Sequence, residues 1–123
     1  MEVVAPSTDR VEPRCPMFSQ CGGCQYQNLS YKKQLEWKQR QVAELLQRMA
    51  GIDHPVDPVH PSPVTYGYRS KITPHFQKPR DGQMGPIGFL LFGRRQQLID
   101  VEHCPIASET VSYTHLRAHE TSP

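Results

Sequence analysis

The chain has 123 residues, 37% of them hydrophobic, and a formal net charge of +2 at pH 7. This length allows at most one ordinary domain, and the low apolar content predicts a small core in a loop-rich chain with 12 prolines. No apolar run approaches the roughly 20 residues of a membrane helix, and no signal peptide opens the sequence. We therefore expect a cytoplasmic, monomeric protein that contacts no membrane.

The first informative segment is a knuckle of three cysteines. Residues 1–14 are irregular, and Cys15, Cys21 and Cys24 follow within ten residues, while the fourth cysteine, Cys104, lies far along the chain. Gly22 and Gly23 are expected to take the positive φ values that wrap backbone around a metal.

The four cysteines predict a metal centre. Cytoplasmic thiols stay reduced, so such a set favours metal over disulfides. Four thiolates hold either iron–sulfur clusters or structural zinc. One loop with three ligands, closed by a distant fourth, favours a [4Fe–4S] cluster held by all four cysteines, because structural zinc sites tend to have two short Cys-x-x-Cys knuckles. Zinc, or no metal at all, stays open on spacing alone.

Next along the chain, the spacing of apolar residues predicts a helix at about 31–50. Ser30 is the expected N-cap, and Gly51 is the expected stop. The polar positions of this helix are mostly basic, which suits a solvated face as well as a nucleic-acid contact. Four prolines within residues 51–65 predict an extended linker.

Residues 66–101 are predicted to be β. The expected strands are Tyr66–Phe76, Ile87–Phe92 and Gln97–Val101, and the last of them leads to Cys104. Pro74 restricts the first strand to a sheet edge or a bulge. The predicted fold class is therefore α+β: a small cysteine-rich metal-binding domain with one amphipathic helix and a short antiparallel sheet that folds back onto the knuckle.

Basic and aromatic residues interleave from Tyr66 to Arg80 and continue at Arg94 and Arg95. This pattern suits contacts with RNA phosphates and stacking on bases, although a solvated sheet edge has the same composition.

The chain resembles the iron–sulfur branch of the RNA uracil-5-methyltransferase family, over about residues 3–107. The knuckle joined to a distant Asp-Val-x-x-Cys-Pro is a specific combination, and it favours the cluster over zinc. The matching residues are Pro6-Ser7, Asp9-Arg10-Val11, Pro13, Cys15-Pro16, Cys21-Gly-Gly-Cys-Gln-Tyr-Gln27, Tyr31, Gln34-Leu35, Lys38, Tyr68-Arg-Ser-Lys71, Ile87-Gly-Phe89 and Ile99-Asp-Val-Glu-His-Cys-Pro-Ile106.

The resemblance implies a domain plan and an activity. Residues 1–14 would be the remnant of an oligonucleotide-binding-like, TRAM-type barrel or a linker, and 15–107 the iron–sulfur, RNA-binding central domain. The whole enzyme would use S-adenosylmethionine to form 5-methyluridine in RNA, with 23S ribosomal RNA ahead of transfer RNA as the expected target. Carried over residue by residue, Arg69 and Lys71 are expected to contact phosphate, and Tyr68 to stack on a base.

Two departures from the family predict that this chain alone is inactive. All four cysteines are used as ligands, so none remains as the catalytic nucleophile, and no glycine-rich loop that could hold S-adenosylmethionine opens a helix. The catalytic domain is therefore expected to be absent. Residues 108–123 resemble translated sequencing-adaptor sequence and are expected to be foreign to the protein.

Two other classes of protein remain open. The alternative function is a free-standing zinc module with four cysteine ligands that binds nucleic acid. A small ferredoxin-like electron carrier is less favoured, because such carriers are usually acidic and space their ligands more closely.

Overall fold

The computed structural model describes residues 3–117, and Met1, Glu2 and residues 118–123 of the expected foreign tail lie outside the described residues. The predicted fold class, α+β with one long helix and a short antiparallel sheet, is confirmed. Contacts divide the chain into two compact units. One unit contains Met1–Glu12 and Asn28–Pro63, and the other contains Pro13–Gln27 and Val64–Pro123.

The first unit contains helix α1, Tyr31–Ala50, which confirms the predicted helix at about 31–50. Gly51 ends it in the left-handed region with φ 66°, as expected of a glycine stop, and Ile52 donates its N–H to the carbonyl of Leu46 at 3.0 Å. Ser30 is the N-cap residue, but its side chain makes no capping hydrogen bond. Its carbonyl instead accepts the N–H of Gln34 at 2.9 Å.

Polar side chains hold the segment after α1 against the helix. Gln39 Nε2 donates to the carbonyl of Val56 at 2.6 Å, and the Tyr31 hydroxyl accepts the N–H of Ser62 at 2.7 Å. Residues 51–63 form no helix or strand, in agreement with the predicted linker. Since no residue of α1 is buried, polar contacts contribute much of what orders this unit.

The second unit contains a three-stranded antiparallel sheet in the order β1-β2-β3. The strands are β1, His75–Phe76, β2, Ile87–Leu91, and β3, Arg94–Asp100. Phe76 pairs with Ile87, and Phe89 pairs with Ile99. The second predicted strand is confirmed within one residue, whereas β3 begins three residues before the predicted Gln97.

The prediction of a strand from Tyr66 to Phe76 was wrong for all but its last two residues. Gly67 takes a left-handed φ of 66°, which interrupts extended chain. Arg69 then pairs in parallel with Ala107: its N–H donates to the carbonyl of Ile106 at 2.9 Å, and its carbonyl accepts the N–H of Ser108 at 3.0 Å. A partner from the far end of the chain thus replaces the expected sheet neighbour.

The core of the second unit is small, as the composition predicts. Its buried side chains come from four separate segments of the sequence, and Phe89, Ile99, Cys104 and Val111 pack against them. The buried residues of this cluster are Ile72, Val101, Ala107 and Leu116, and Ile106 is buried as well.

After a non-helical stretch that contains Cys104, the chain is helical from Glu109 to the end of the described range. Helix α2 spans Glu109–Ser112, and a π-helical turn spans Tyr113–Arg117. Ser112 is only 1% exposed. This packing does not test the expectation that residues 108–123 are foreign to the protein, which stays a prediction.

Gly88 in β2 provides a test of the sheet. A Cβ placed there would overlap the carbonyl oxygen of Ile99 and would lie 2.9 Å from the backbone nitrogen of Val101. Because both obstacles are backbone atoms of the chain in and after β3, they cannot rotate away. We expect Gly88→Ala to lower the free energy of unfolding by about 2–3 kcal/mol, measured by urea denaturation followed by circular dichroism.

Gly85→Ala is the matched control, because a Cβ at Gly85 meets no atom within 4 Å. Its free energy of unfolding should stay within about 0.5 kcal/mol of the parent chain. Equal effects of the two substitutions would contradict the close approach of β2 to β3.

Candidate metal centre

The knuckle is built from tight backbone turns. The N–H of Phe18 donates to the carbonyl of Cys15 at 3.1 Å, and the N–H of Cys21 donates to that of Met17 at 2.9 Å. The residue with positive φ is Ser19, at 76°, and neither Gly22 nor Gly23 has one, so that expectation was wrong.

Gly22 has a different role, which is a close approach to the sheet. Its N–H donates to the carbonyl of Leu90 at 2.9 Å, and a Cβ would lie only 3.1 Å from that oxygen. Cys21 forms a bridge with Leu91, and Phe92 donates its N–H to the carbonyl of Gln20 at 2.7 Å. The knuckle therefore pairs with the end of β2, as the prediction of a sheet folding back onto it requires.

Cys104 is positioned by β3 and by Ser112. After β3 the chain makes a turn in which the N–H of Ala107 donates to the carbonyl of Cys104 at 3.0 Å. Ser112 Oγ accepts the N–H of Cys104 and donates to its carbonyl, both at 3.2 Å. Both backbone polar groups of Cys104 are thus satisfied by one buried hydroxyl.

All four cysteines line a single cavity of about 370 Å³. Each is a free, partly buried thiol, so the structure brings together the four predicted ligands without a disulfide. The apolar part of the wall includes Phe18, Ile72, Phe89 and Val101.

The electrostatics of this cavity disfavour thiolates in the absence of a cation. Burial raises the pKa of the Cys15 thiol, and repulsion from Cys104 and Cys24 adds to the rise. Burial likewise raises the pKa of Cys21, with further repulsion from the other three cysteines, although the N–H of Gly23, 3.4 Å from its Sγ, opposes this. A positively charged group in the cavity would relieve both effects.

Gln27 also lines the cavity and has an unsatisfied donor there. Its Oε1 accepts the N–H of Cys15 at 3.0 Å, so this side chain caps the knuckle's own backbone. Its Nε2 is buried and has no hydrogen-bond partner among the described residues. A buried donor without a partner costs the folded chain free energy.

The predicted RNA-contacting residues fall in two places. Arg69 and Lys71 have exposed side chains that line the same cavity as the cysteines. Tyr68, which is 52% exposed, does not line it. The structure therefore joins the two basic residues to the candidate metal centre and leaves the tyrosine outside it.

Within residues 3–117, no three histidine, cysteine, aspartate or glutamate side chains are grouped so as to hold a metal ion. For comparison, a tetrahedral zinc site with Zn–S bonds of about 2.3 Å brings its sulfurs to roughly 3.8 Å from one another. None of the described helices is long and apolar enough to cross a membrane.

Comparison with known proteins finds relatives that are named RNA methyltransferases. No family model matches it. A Schizosaccharomyces pombe protein named tRNA (uracil(54)-C(5))-methyltransferase is 47% identical over 120 residues, which cover 91% of this chain and 23% of that protein. Uncharacterized RNA methyltransferases of Nitratidesulfovibrio vulgaris and Synechocystis are 39% and 33% identical, over 89% and 91% of this chain and 23% and 24% of theirs.

The chain is thus homologous, over about nine tenths of its length, to a segment of RNA methyltransferases. The resemblance to the RNA uracil-5-methyltransferase family, predicted from the cysteine motif, is confirmed. The chain spans about a quarter of the length of the curated relatives that it matches.

The cap formed by Gln27 can be tested without metal. Gln27→Ala removes the acceptor for the part-buried N–H of Cys15, so in the metal-free chain this amide should exchange with solvent about tenfold faster, measured by hydrogen exchange under reducing conditions. Gln25→Ala, at an exposed position in the same segment, is the control and should leave the exchange rate of the Cys15 amide unchanged. If that rate is the same in Gln27→Ala and in the control, the cap contributes nothing.

Proposed function

We propose that this chain is the cluster-bearing segment of a cytoplasmic, monomeric enzyme that methylates C5 of a uracil in RNA with S-adenosylmethionine. In this proposal Cys15, Cys21, Cys24 and Cys104 hold a [4Fe–4S] cluster. The observation that carries it is the convergence of all four thiols on one cavity from distant parts of a chain related to RNA methyltransferases.

Three features of the cavity fit a cluster. The donor set is four thiolates, which iron–sulfur clusters require. The four thiols line one cavity of about 370 Å³, which leaves space for a bound group among them. The unpaired Nε2 of Gln27 could donate to a cluster sulfur, and hydrogen bonds of that kind are a usual means of tuning such centres.

The cluster, when bound, would supply a rigid link among four cysteines, with no electron transfer in the methylation. The positioning of the four thiols is the role of the chain's own residues. The N–H of Ala107 holds the carbonyl of Cys104, Gln27 holds the N–H of Cys15, and the pairing of Gly22 with Leu90 holds the knuckle against β2. These contacts keep the thiols in place while the surface around them meets RNA.

Arg69 and Lys71 are proposed to contact RNA phosphates, and Tyr68 to stack on a base. Both cations are exposed at the cavity that the four thiols line, and Tyr68 is half exposed nearby in sequence. Phosphate contacts of this kind position an RNA without reading its sequence. They would place the RNA against the cluster-bearing surface.

The RNA target has two candidates. Sequence reasoning favours 23S ribosomal RNA, because the cluster-bearing branch resembles enzymes that act on it. The name of the Schizosaccharomyces pombe relative, which is 47% identical to this chain, favours transfer RNA as the second candidate. The predicted division into residues 1–14, 15–107 and 108–123 is retained as part of the proposal.

Metal content distinguishes the cluster from zinc. Anaerobic reconstitution with iron and sulfide should give a brown chain with about four iron and four sulfide per polypeptide and broad absorption near about 400 nm. Cys104→Ser should lose most of this iron, because it removes the ligand that joins the far segment to the knuckle. A colourless protein that binds one zinc per chain as purified, and no iron, would establish the alternative zinc module with four cysteine ligands.

Circular dichroism provides the folding control for Cys104→Ser, since the metal-free variant should match the metal-free parent. Gln27→Glu is a second probe, because it keeps the acceptor for Cys15 and replaces the unpaired donor with an acceptor. It should load less iron, or lose its cluster faster in air, than the parent chain.

Catalysis is expected to require residues beyond this chain. Incubation with methyl-labelled S-adenosylmethionine and either unmodified ribosomal RNA or unmodified transfer RNA should leave no label above background. The full-length Schizosaccharomyces pombe relative, assayed on transfer RNA, is the positive control for the donor and the detection. Label transfer by the 123-residue chain would refute the assignment of all four cysteines as ligands.

A further inference from the structure

A second concave surface lies where the turn between β2 and β3 meets the knuckle. It has a volume of about 380 Å³ and contains none of the four cysteines. We call it the turn groove and define it by Gly22–Gly23, His75, Phe92, Arg94 and Arg95. No side chain of these residues has a role in the proposed cluster site or in the proposed contacts of Arg69 and Lys71.

Phe92 is an exposed aromatic side chain on a fixed backbone. Its side chain is 61% exposed, while its N–H is held by the carbonyl of Gln20 at 2.7 Å. Gly93 follows with φ 74°, which makes the turn tight. A large apolar ring held in water at a defined position gains free energy when another flat apolar surface covers it.

The charge at the same turn is positive and uncompensated. Arg94 and Arg95 are exposed, and neither forms an ion pair with any residue in the range 3–117. Arg94 reaches only the amide of Gln97, at 3.4 Å. No carboxylate is among the side chains that line the groove.

The two glycines leave the opposite wall of the groove without side chains. A Cβ on Gly23 would meet only the sulfur of Cys21, at 3.4 Å, so its remaining directions are open. Gly22 approaches the backbone of Leu90 and Phe92 closely, so the two glycines add no side-chain bulk to the groove, and a base would cover the exposed ring of Phe92 from the solvent side, near Arg94 and Arg95.

We propose that the turn groove binds single-stranded RNA, with one base stacked on Phe92 and the adjoining phosphates at Arg94 and Arg95. The proposal rests on the proposed function for the class of ligand and adds a site to it. An aromatic face suits any unpaired base, and guanidinium groups suit phosphate oxygens in a fixed geometry. A duplex is disfavoured because its bases are already stacked on one another.

Binding of a fluorescein-labelled single-stranded RNA of about ten nucleotides, close to the span of other single-strand sites, to the reconstituted full chain tests the site. Fluorescence anisotropy is measured over a series of salt concentrations. The double variant Arg94→Gln with Arg95→Gln should bind about tenfold more weakly at low salt. Its plot of log affinity against log salt should lose about 1.4 from its slope, because each contact with a single-strand phosphate contributes about 0.7.

Lys78→Gln with Arg80→Gln is the matched control for charge. These exposed residues lie in the loop between β1 and β2, at the opposite end of β2 from the turn groove. This variant loses the same two charges and should change the slope by less than half as much. An equal change in both double variants would mean that the RNA responds only to overall charge, which would overturn the site.

Phe92→Leu tests stacking, since it keeps an apolar side chain and removes the aromatic face. It should weaken binding of the single strand about tenfold, and Phe92→Trp should restore it. Phe76→Leu is the matched control, because Phe76 is 72% exposed and pairs with the start of β2. Parent-like binding by Phe92→Leu, or equal affinity of the parent for duplex and single strand, would overturn the proposal.

Failure of this site and failure of the proposed function give different results. If the parent chain binds RNA, and Arg69→Gln with Lys71→Gln weakens binding while the turn-groove variants do not, the turn groove is refuted and the proposed function stands. If the parent chain binds no RNA at any salt concentration, both are refuted. Circular dichroism and cluster absorption should be unchanged in every turn-groove variant.

Discussion

The structure of the second unit depends on the backbone pairing between the cysteine knuckle and the end of β2. Two hydrogen bonds, from Gly22 to Leu90 and from Phe92 to Gln20, fix the knuckle on a sheet that it does not adjoin in sequence. The sheet runs through β3 to Cys104, so one register places the fourth thiol at the cavity formed by the first three. Without these two hydrogen bonds, the knuckle would be a short loop that is not held facing Cys104.

The energetics of the cavity favour a bound cationic centre. Burial and mutual repulsion raise the pKa of Cys15 and of Cys21, and Gln27 has a buried donor without a partner in the described chain. At neutral pH the raised pKa values keep these thiols protonated, which costs the folded chain nothing, whereas the unpaired donor costs it free energy. The surrounding core is small, so a link among four distant ligands would add stability that apolar burial does not supply. A bound cluster would give the thiolates their positive partner and would offer the Gln27 donor an acceptor.

Local features of the chain, such as the long helix and strand β2, could be predicted from the sequence, whereas backbone pairing between distant segments could not. The helix at 31–50, its glycine stop and the strand of β2 follow from periodicity and from the backbone freedom of Gly51. The cysteine set was found from spacing and family resemblance. The segment after Tyr66 was mispredicted because its partner, Ala107, lies almost forty residues away in sequence, and alternation alone cannot reveal a parallel bridge. Ser112 had no signal at all, since a lone serine in an aperiodic segment gives no indication that it satisfies both polar groups of Cys104.

The same pairing connects the two sites that the proposals assign. Cys21 lines the cavity, and the N–H of the adjacent Gly22 donates to the carbonyl of Leu90. Phe92, two residues after Leu90, lies at the turn groove. A group bound to the thiols would limit the motion of Cys21, and through these hydrogen bonds it would limit the motion of Phe92 and the arginines after it. Ordering of one site before the other is occupied lowers the entropy that the second ligand must lose, and such coupling is reciprocal. If the proposed cluster is bound here without an electron-transfer role, its physical effect would be to stiffen the surface on which the proposed single-stranded RNA would lie.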